Sequence, residues 1–169
     1  LPVQPLTIHA MVTQPLKPFL HHVVSSGAYH CYANQTLKGE VVTGAHMDPQ
    51  VNYSTDPTAH YIKHQAESLT DFLPCLKGVR FMRIWAGLAD MTPDMAPIMD
   101  GNVMYDGLYI DVGWGYFGFK SGPVAGKYMA EYLACEEAPA MIKPFALNRF
   151  YENRYMGETA GAMNYGHWD

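Results

Sequence analysis

The stretch GWGYFGFKSGPVAGKYMAEYLA, Gly113 to Ala134, decides how this chain reads. Its first eight residues crowd glycines, aromatics and one cation, Lys120, ahead of a segment with the composition of a helix. Gly118, Gly122, Gly126, Ala130 and Ala134 recur every four positions, which on a helix makes one slowly drifting stripe. A stripe without bulky side chains lets another surface approach closely. Close packing of helix on strand accounts for that stripe. So does an anion or electron-rich ring at the helix start, where free N–H groups and the dipole carry positive charge and Lys120 adds to the field. Glycine-rich turns before helices are common, so Gly113, Gly115 and Gly118 alone are a weak signal and this stretch leaves both readings open.

Immediately upstream, GLYIDVG (107–113) is a short apolar strand, which makes the local order strand, glycine loop, helix. Between Leu6 and Val42 the runs TIHAMVT, FLHHVV, YHCYANQ and EVVTG, separated by Pro and Gly, predict strands of an antiparallel sheet. Asp56-Pro57 opens a helix through Phe72, with Ala59, Ile62, Ala66 and Leu69 at helical spacing, and a strand follows near 79–89. After Glu136 the chain reads as an extended tail whose APAMIKPFALNRF (138–150) carries large apolar residues toward a neighbour. One strand-loop-helix unit lacks the parallel strands that would flank GLYIDVG and cover its faces. Those strands are expected from another chain.

The composition fits a globular protein: 169 residues, 49% hydrophobic and 13% aromatic. A net charge of -5 with 11 Lys plus Arg argues against a nucleic-acid surface. No run of about 18 apolar residues suggests a membrane span. LPVQPLTIHAMVTQPLKP has neither the charged region nor the apolar core of a signal peptide, and the chain reads as entered in mid-fold. Cys31, Cys75 and Cys135, odd in number and far apart, read as reduced thiols of a cytoplasmic protein. Asn34-Gln35-Thr36 is a chance match to a glycosylation acceptor.

WAGLADMTPDMAPIMDG (85–101), residues 107–134, PFALNRF (144–150), HAMVTQPLKPFL (9–20) and YANQTLKGEVVTGAHMDP (32–49) occur in one order across nearly the whole chain. Together they resemble the C-terminal part of the glycine/D-amino-acid oxidase family of flavoproteins, in particular its heterotetrameric sarcosine oxidase β-subunit branch. The resemblance implies an α+β fold. Residues 1–78 would form a substrate-domain sheet and helix, and 79–135 the end of a Rossmann-like FAD-binding domain supplied mostly by another chain. Residues 136–169 would be a tail on partner chains. It also implies that Gly113, Gly115, Tyr116, Phe117, Gly118 and Lys120 lie against FAD, that Lys120 binds a substrate carboxylate, and that Tyr32 and His46 line the substrate cavity.

Gly87 stands where monomeric members attach the flavin through cysteine, which implies non-covalent FAD. The family's N-terminal nucleotide fingerprint is absent, so a partner chain must carry it, in a hetero-oligomer that also makes FMN at a subunit interface plausible. The implied reaction oxidises the C–N bond of a secondary amino acid such as sarcosine. A non-catalytic assembly subunit is the alternative, and the intact GWGYFGFK loop speaks against it.

Other polar clusters read as structure. His60 and His64 stand one helical turn apart without a third ligand, so no metal is expected, and His21-His22 would point to opposite faces of a strand. Asp90, Asp94 and Asp100 surround Pro93 and Pro97, which is ordinary turn chemistry, and the methionines around them are adaptable packing.

Overall fold

The computed structural model describes residues 1–156, so the part of the expected tail from 157 to 169 lies outside the described residues. The described residues divide into two compact units, residues 5–88 and residues 1–4 with 89–156. The division falls inside a strand, ten residues beyond the boundary at 78 that the sequence suggests.

In the first unit a five-stranded sheet has the order β2-β3-β4-β1-β5, from β1 (Gln4–Thr13), β2 (Val24–Ser26), β3 (Cys31–Gln35), β4 (Val41–Val51) and β5 (Phe81–Met91). β2, β3, β4 and β1 pair antiparallel. Thr7, His9, Met11 and Thr13 of β1 alternate into the buried face, and helix α1 (Ala59–Phe72) covers it with Tyr61, Gln65 and Leu69. Ile62, expected on the apolar face, is exposed. Gln65 takes a buried place because it donates to Thr43 Oγ1 at 2.7 Å and reaches Cys31 Sγ at 3.3 Å.

Two further sequence expectations move. The helix starts at Ala59 with Thr58 at its cap, so Asp56 and Pro57 lie just ahead of it. FLHHVV contributes only its last residue, Val24, to a strand, and His21 and His22 lie outside any strand. The Gln35 side chain supplies the hydrogen bonds a strand partner would have given. Its Oε1 accepts from the N–H groups of Phe19 and Leu20, and its Nε2 donates to the carbonyls of Lys17 and Gly39.

The second unit holds the antiparallel pair β6 (Ile98–Gly101) and β7 (Tyr109–Val112), then helix α2 (Gly118–Cys135). Among the described residues β7 pairs with β6 only, which leaves its other edge open. Ala125, Met129 and Tyr132 of α2 pack with Met99 and Ile142 into a core. Residues 138–150 are not extended. They close in two 3-10 turns, Lys143–Phe145 and Leu147–Phe150, with Ile142, Leu147 and Arg149 buried in their own unit. An internal counter-ion for Arg149 makes that compaction possible, as the site description below details.

Candidate functional site

The glycine loop between β7 and α2 is held by one carboxylate. Gly113 N–H donates to Asp90 Oδ2 at 2.9 Å, and Gly115 N–H is shared between Asp90 Oδ1 at 3.2 Å and the Asp90 carbonyl at 3.0 Å. Gly113 and Gly115 have φ of 75° and 54°, the left-handed region that favours glycine. A Cβ at Gly113 would stand 2.5 Å from Thr92 Cγ2, and one at Gly115 2.6 Å from Met91 Sδ. These glycines are therefore required by packing inside their own unit. Their N–H groups, turned inward by this conformation, form an anion nest already filled by Asp90.

Helix α2 begins directly after this loop. Phe117 is its cap and provides no side-chain hydrogen bond, so the first-turn amides lack the usual Ser, Thr or Asp partner. The Tyr116 and Phe117 rings are tilted at 46° to each other with centroids 4.3 Å apart, and Gly118 meets Trp114 closely, a Cβ there lying 3.3 Å from Trp114 Cβ. Lys120, in the first turn, holds its Nζ 4.9 Å from the centre of the Phe117 ring. It borders a cavity of about 590 Å³ whose walls include Trp114, Phe117, Tyr128, Met141 and Phe145. Among the described residues Lys120 is the only cation in that lining, with the Ser121 hydroxyl beside it. The arrangement can hold one carboxylate at the edge of an otherwise apolar chamber.

The stripe behaves differently from the loop. Gly122, Gly126, Ala130 and Ala134 are exposed, and a Cβ at Gly122 or Gly126 would meet nothing within 4 Å. The helix buries a different face, so close packing on this chain's own strands does not account for the stripe.

Tyr32 and His46 belong to the first unit, and the structure does not bring them together. Tyr32 alternates with buried Cys31 and Ala33, and pairs with Gly44, so it leaves the sheet on the face away from α1. Simple alternation would put His46 on that same face. Between the pairs Ala10↔Gly44 and Ile8↔Met47, however, β1 advances two residues and β4 three, and Ala45 in this bulge has φ 113°. The extra residue turns His46 toward α1, where its Nε2 lies 3.0 Å from Ser68 Oγ. Its ring stands 6.2 Å from those of His30 and Tyr61 and 6.3 Å from that of His64.

His9 stacks on Tyr61 at 4.1 Å with its Nε2 3.9 Å from Asp48. Burial lowers the pKa of His9 against the opposing pull of Asp48. Burial also lowers that of His46, and the neighbouring histidines act in the same direction. His60 and His64 face each other at 4.2 Å, and among the described residues no three His, Cys, Asp or Glu side chains are placed to hold a metal ion.

The three aspartates have separate partners that local sequence could not reveal. Asp94 pairs with Arg149, 55 positions on, through Nε to Oδ2 at 2.7 Å and Nη2 to Oδ1 at 3.0 Å. Asp100 accepts from the N–H of Leu147 at 2.8 Å. Asp90 reaches 23 and 25 positions ahead to the glycine loop. Asp94 also closes the local turn expected of it, accepting from Thr92 Oγ1 at 3.1 Å and from the N–H of Ala96 at 3.3 Å, and Asp100 accepts from the N–H of Gly101 at 2.8 Å; the contacts to Arg149, Leu147 and the glycine loop are long-range, and only the fold supplies them.

Residues 1–132 match the family model described as FAD dependent oxidoreductase. The chain is 34% identical over 162 residues to the sarcosine oxidase subunit beta of Rhodobacter capsulatus, covering 96% of this chain and 39% of that protein. It is 37% identical over 150 residues to the protein of the same name from Rhizobium meliloti, covering 89% and 36%. The solved structure of L-proline dehydrogenase from P. horikoshii superposes with a TM-score of 0.82 at 26% identity, over 90% of this chain and 41% of that one. The chain thus spans about two fifths of the length of the relatives it matches. Among the described residues no helix is long and apolar enough to cross a membrane.

Proposed function

Since the chain belongs to the family of FAD-dependent oxidoreductases, we propose that it is the C-terminal part of a flavoenzyme that oxidises the C–N bond of a secondary amino acid such as sarcosine. The nucleotide-binding half would come from outside these 169 residues, which span about two fifths of the length of the relatives. FAD, bound without a covalent link, would supply the two-electron oxidising chemistry. The uncapped start of α2 fits such a group, because first-turn amides and the helix dipole favour negative charge. Tyr116, Phe117 and Gly118 would lie nearest to it, and the glycine loop would hold them in place.

The observation that carries the reading is Lys120, the one cation at the edge of an apolar chamber and in the first turn of α2. Its ammonium would hold the substrate carboxylate, while Trp114, Phe117 and Tyr128 keep water away from the reacting carbon. Tyr32, on the sheet face not covered by α1, stays a candidate for the substrate cavity. His46 would instead support the docking of α1 through Ser68.

Lys120→Met in the assembled enzyme tests this reading. The substitution keeps most of the side-chain volume and strands the carboxylate. Losing one member of a desolvated pair costs about 3–5 kcal/mol, so affinity for the amino acid should fall by roughly two to four orders of magnitude. FAD content should change little, and an amine lacking a carboxylate should be almost indifferent. Equal losses for acid and amine would refute the role of Lys120. A purified complex without a flavin chromophore would favour a purely assembling subunit.

A further inference from the structure

We propose that Asp90 is a positioning residue for this site: its carboxylate fixes the loop from Gly113 to Gly118 and, through it, the start of α2 and Lys120. The inference rests on the flavin-site reading of that loop. The geometry is specific. Both carboxylate oxygens accept from loop amides, Oδ2 from Gly113 at 2.9 Å and Oδ1 from Gly115 at 3.2 Å. The two donors belong to left-handed glycines, and the intervening Trp114 is tied forward, its carbonyl accepting from the N–H of Phe117 at 2.9 Å. A second carboxylate, Asp111, accepts from Trp114 Nε1 at 2.6 Å and fixes the ring against which Gly118 packs. Asp90 therefore sets the loop entry, and the chain from there to the helix cap follows by hydrogen bonds.

A charge already seated in the nest also changes what the loop offers to a ligand. The amides of Gly113 and Gly115 are committed, so any anion that α2 attracts must be met by the first turn of the helix and by Lys120. Asp90 itself is exposed in this chain, so replacing it removes the loop contacts without emptying the core.

The test compares the parent complex, with its partner chain, against Asp90→Ala, Asp90→Asn and the control Asp100→Asn, whose carboxylate accepts from Leu147 outside the loop. Amide hydrogen exchange across 113–118 is read beside the KM and kcat of an amino acid and of a plain amine. Losing about one and a half hydrogen bonds should speed loop exchange roughly tenfold in Asp90→Ala, with a similar rise in KM for the acid and little for the amine. Asp90→Asn, which keeps one acceptor oxygen, should lie between, and Asp100→Asn should match the parent in both readouts. Parent-like exchange in Asp90→Ala overturns the inference whatever the flavin content. Faster exchange with an unchanged KM for the acid overturns the positioning role. A parent complex that holds no FAD overturns the underlying reading and the positioning role with it, and the exchange data keep that failure distinct.

Discussion

Replacing Arg149 by methionine should destabilise the second unit strongly, yet less than replacing its partner Asp94 by leucine. Both side chains are buried, at 0% and 1% exposure. Arg149 donates to Asp94 through two bonds and to the carbonyls of Phe145 and Ala96 at 2.8 Å each. Breaking a buried pair by removing one partner typically costs about 3–5 kcal/mol. With Arg149 gone, Asp94 still accepts from Thr92 Oγ1, the N–H of Ala96 and the N–H of Met156, so the loss should fall near 3 kcal/mol on that scale. With Asp94 gone the guanidinium keeps only neutral carbonyl partners, and the loss should approach about 5 kcal/mol.

In the double variant no charge remains buried, so its loss should be smaller than the sum of the two by about 2 kcal/mol or more. Urea midpoints of the assembled protein measure this, a 3 kcal/mol change being roughly 1–3 M at ordinary m-values. Burial alone would raise the Asp94 carboxyl, but Arg149 and the N–H groups of Met156 and Ala96 hold it below the usual range. Its contribution is thus present above the unfolded carboxylate pKa and is lost as pH falls from there through the folded value. Additive losses in the double variant, or an acid limb that persists unchanged in Asp94→Leu, would refute the pair as the source of this stability.

Gly126→Leu should leave the fold of the chain intact and add up to about 1 kcal/mol of helix propensity, yet block assembly if a partner covers the stripe. Size-exclusion chromatography of the co-expressed chains checks it, and normal assembly would show that nothing packs there. Unfolded histidines take up protons near pH 6.5, before the folded His9 and His46 with their lowered pKa values, so stability should fall as pH drops through about 6.5 and level off once the folded groups titrate. Urea midpoints between about pH 8 and 5 follow this, and His46→Gln should flatten part of the slope.

Periodicity made the elements legible. The β-formers of TIHAMVT and the helical spacing in residues 59–72 found β1 and α1, and the strand-loop-helix order of 107–134 found β7 and α2. Side-chain capture of backbone hid the rest. FLHHVV has strand composition, but Gln35 occupies the N–H groups of Phe19 and Leu20. Strand alternation accounts for the direction of Tyr32 relative to Cys31, and it fails for His46 because one inserted residue at Ala45 shifts the alternation beyond it. No local pattern announces that insertion, since alanine in the left-handed region has no sequence signature.

The glycines of the opening stretch have two different causes, and the difference bears on where the missing contacts lie. At Gly113 and Gly115 a side chain would strike Thr92 or Met91 in a strained backbone, so the chain's own fold requires glycine there. At Gly122 and Gly126 the backbone is ordinary helix with open space outside. Relative to alanine each should weaken the helix by roughly 1 kcal/mol, a loss that no contact among the described residues offsets. The stabilising return has to come from a surface that approaches the helix closely. The open edge of β7 calls for a neighbouring strand for the same kind of reason, since its outward N–H and C=O groups lack ladder partners. Two unmet needs of different chemistry, one for a flat apolar contact and one for backbone hydrogen bonds, are what a neighbouring parallel strand and its covering layer would satisfy together. On that argument the open edge of β7 and the bare stripe of α2 are the two surfaces that the proposed flavin-binding sheet would cover.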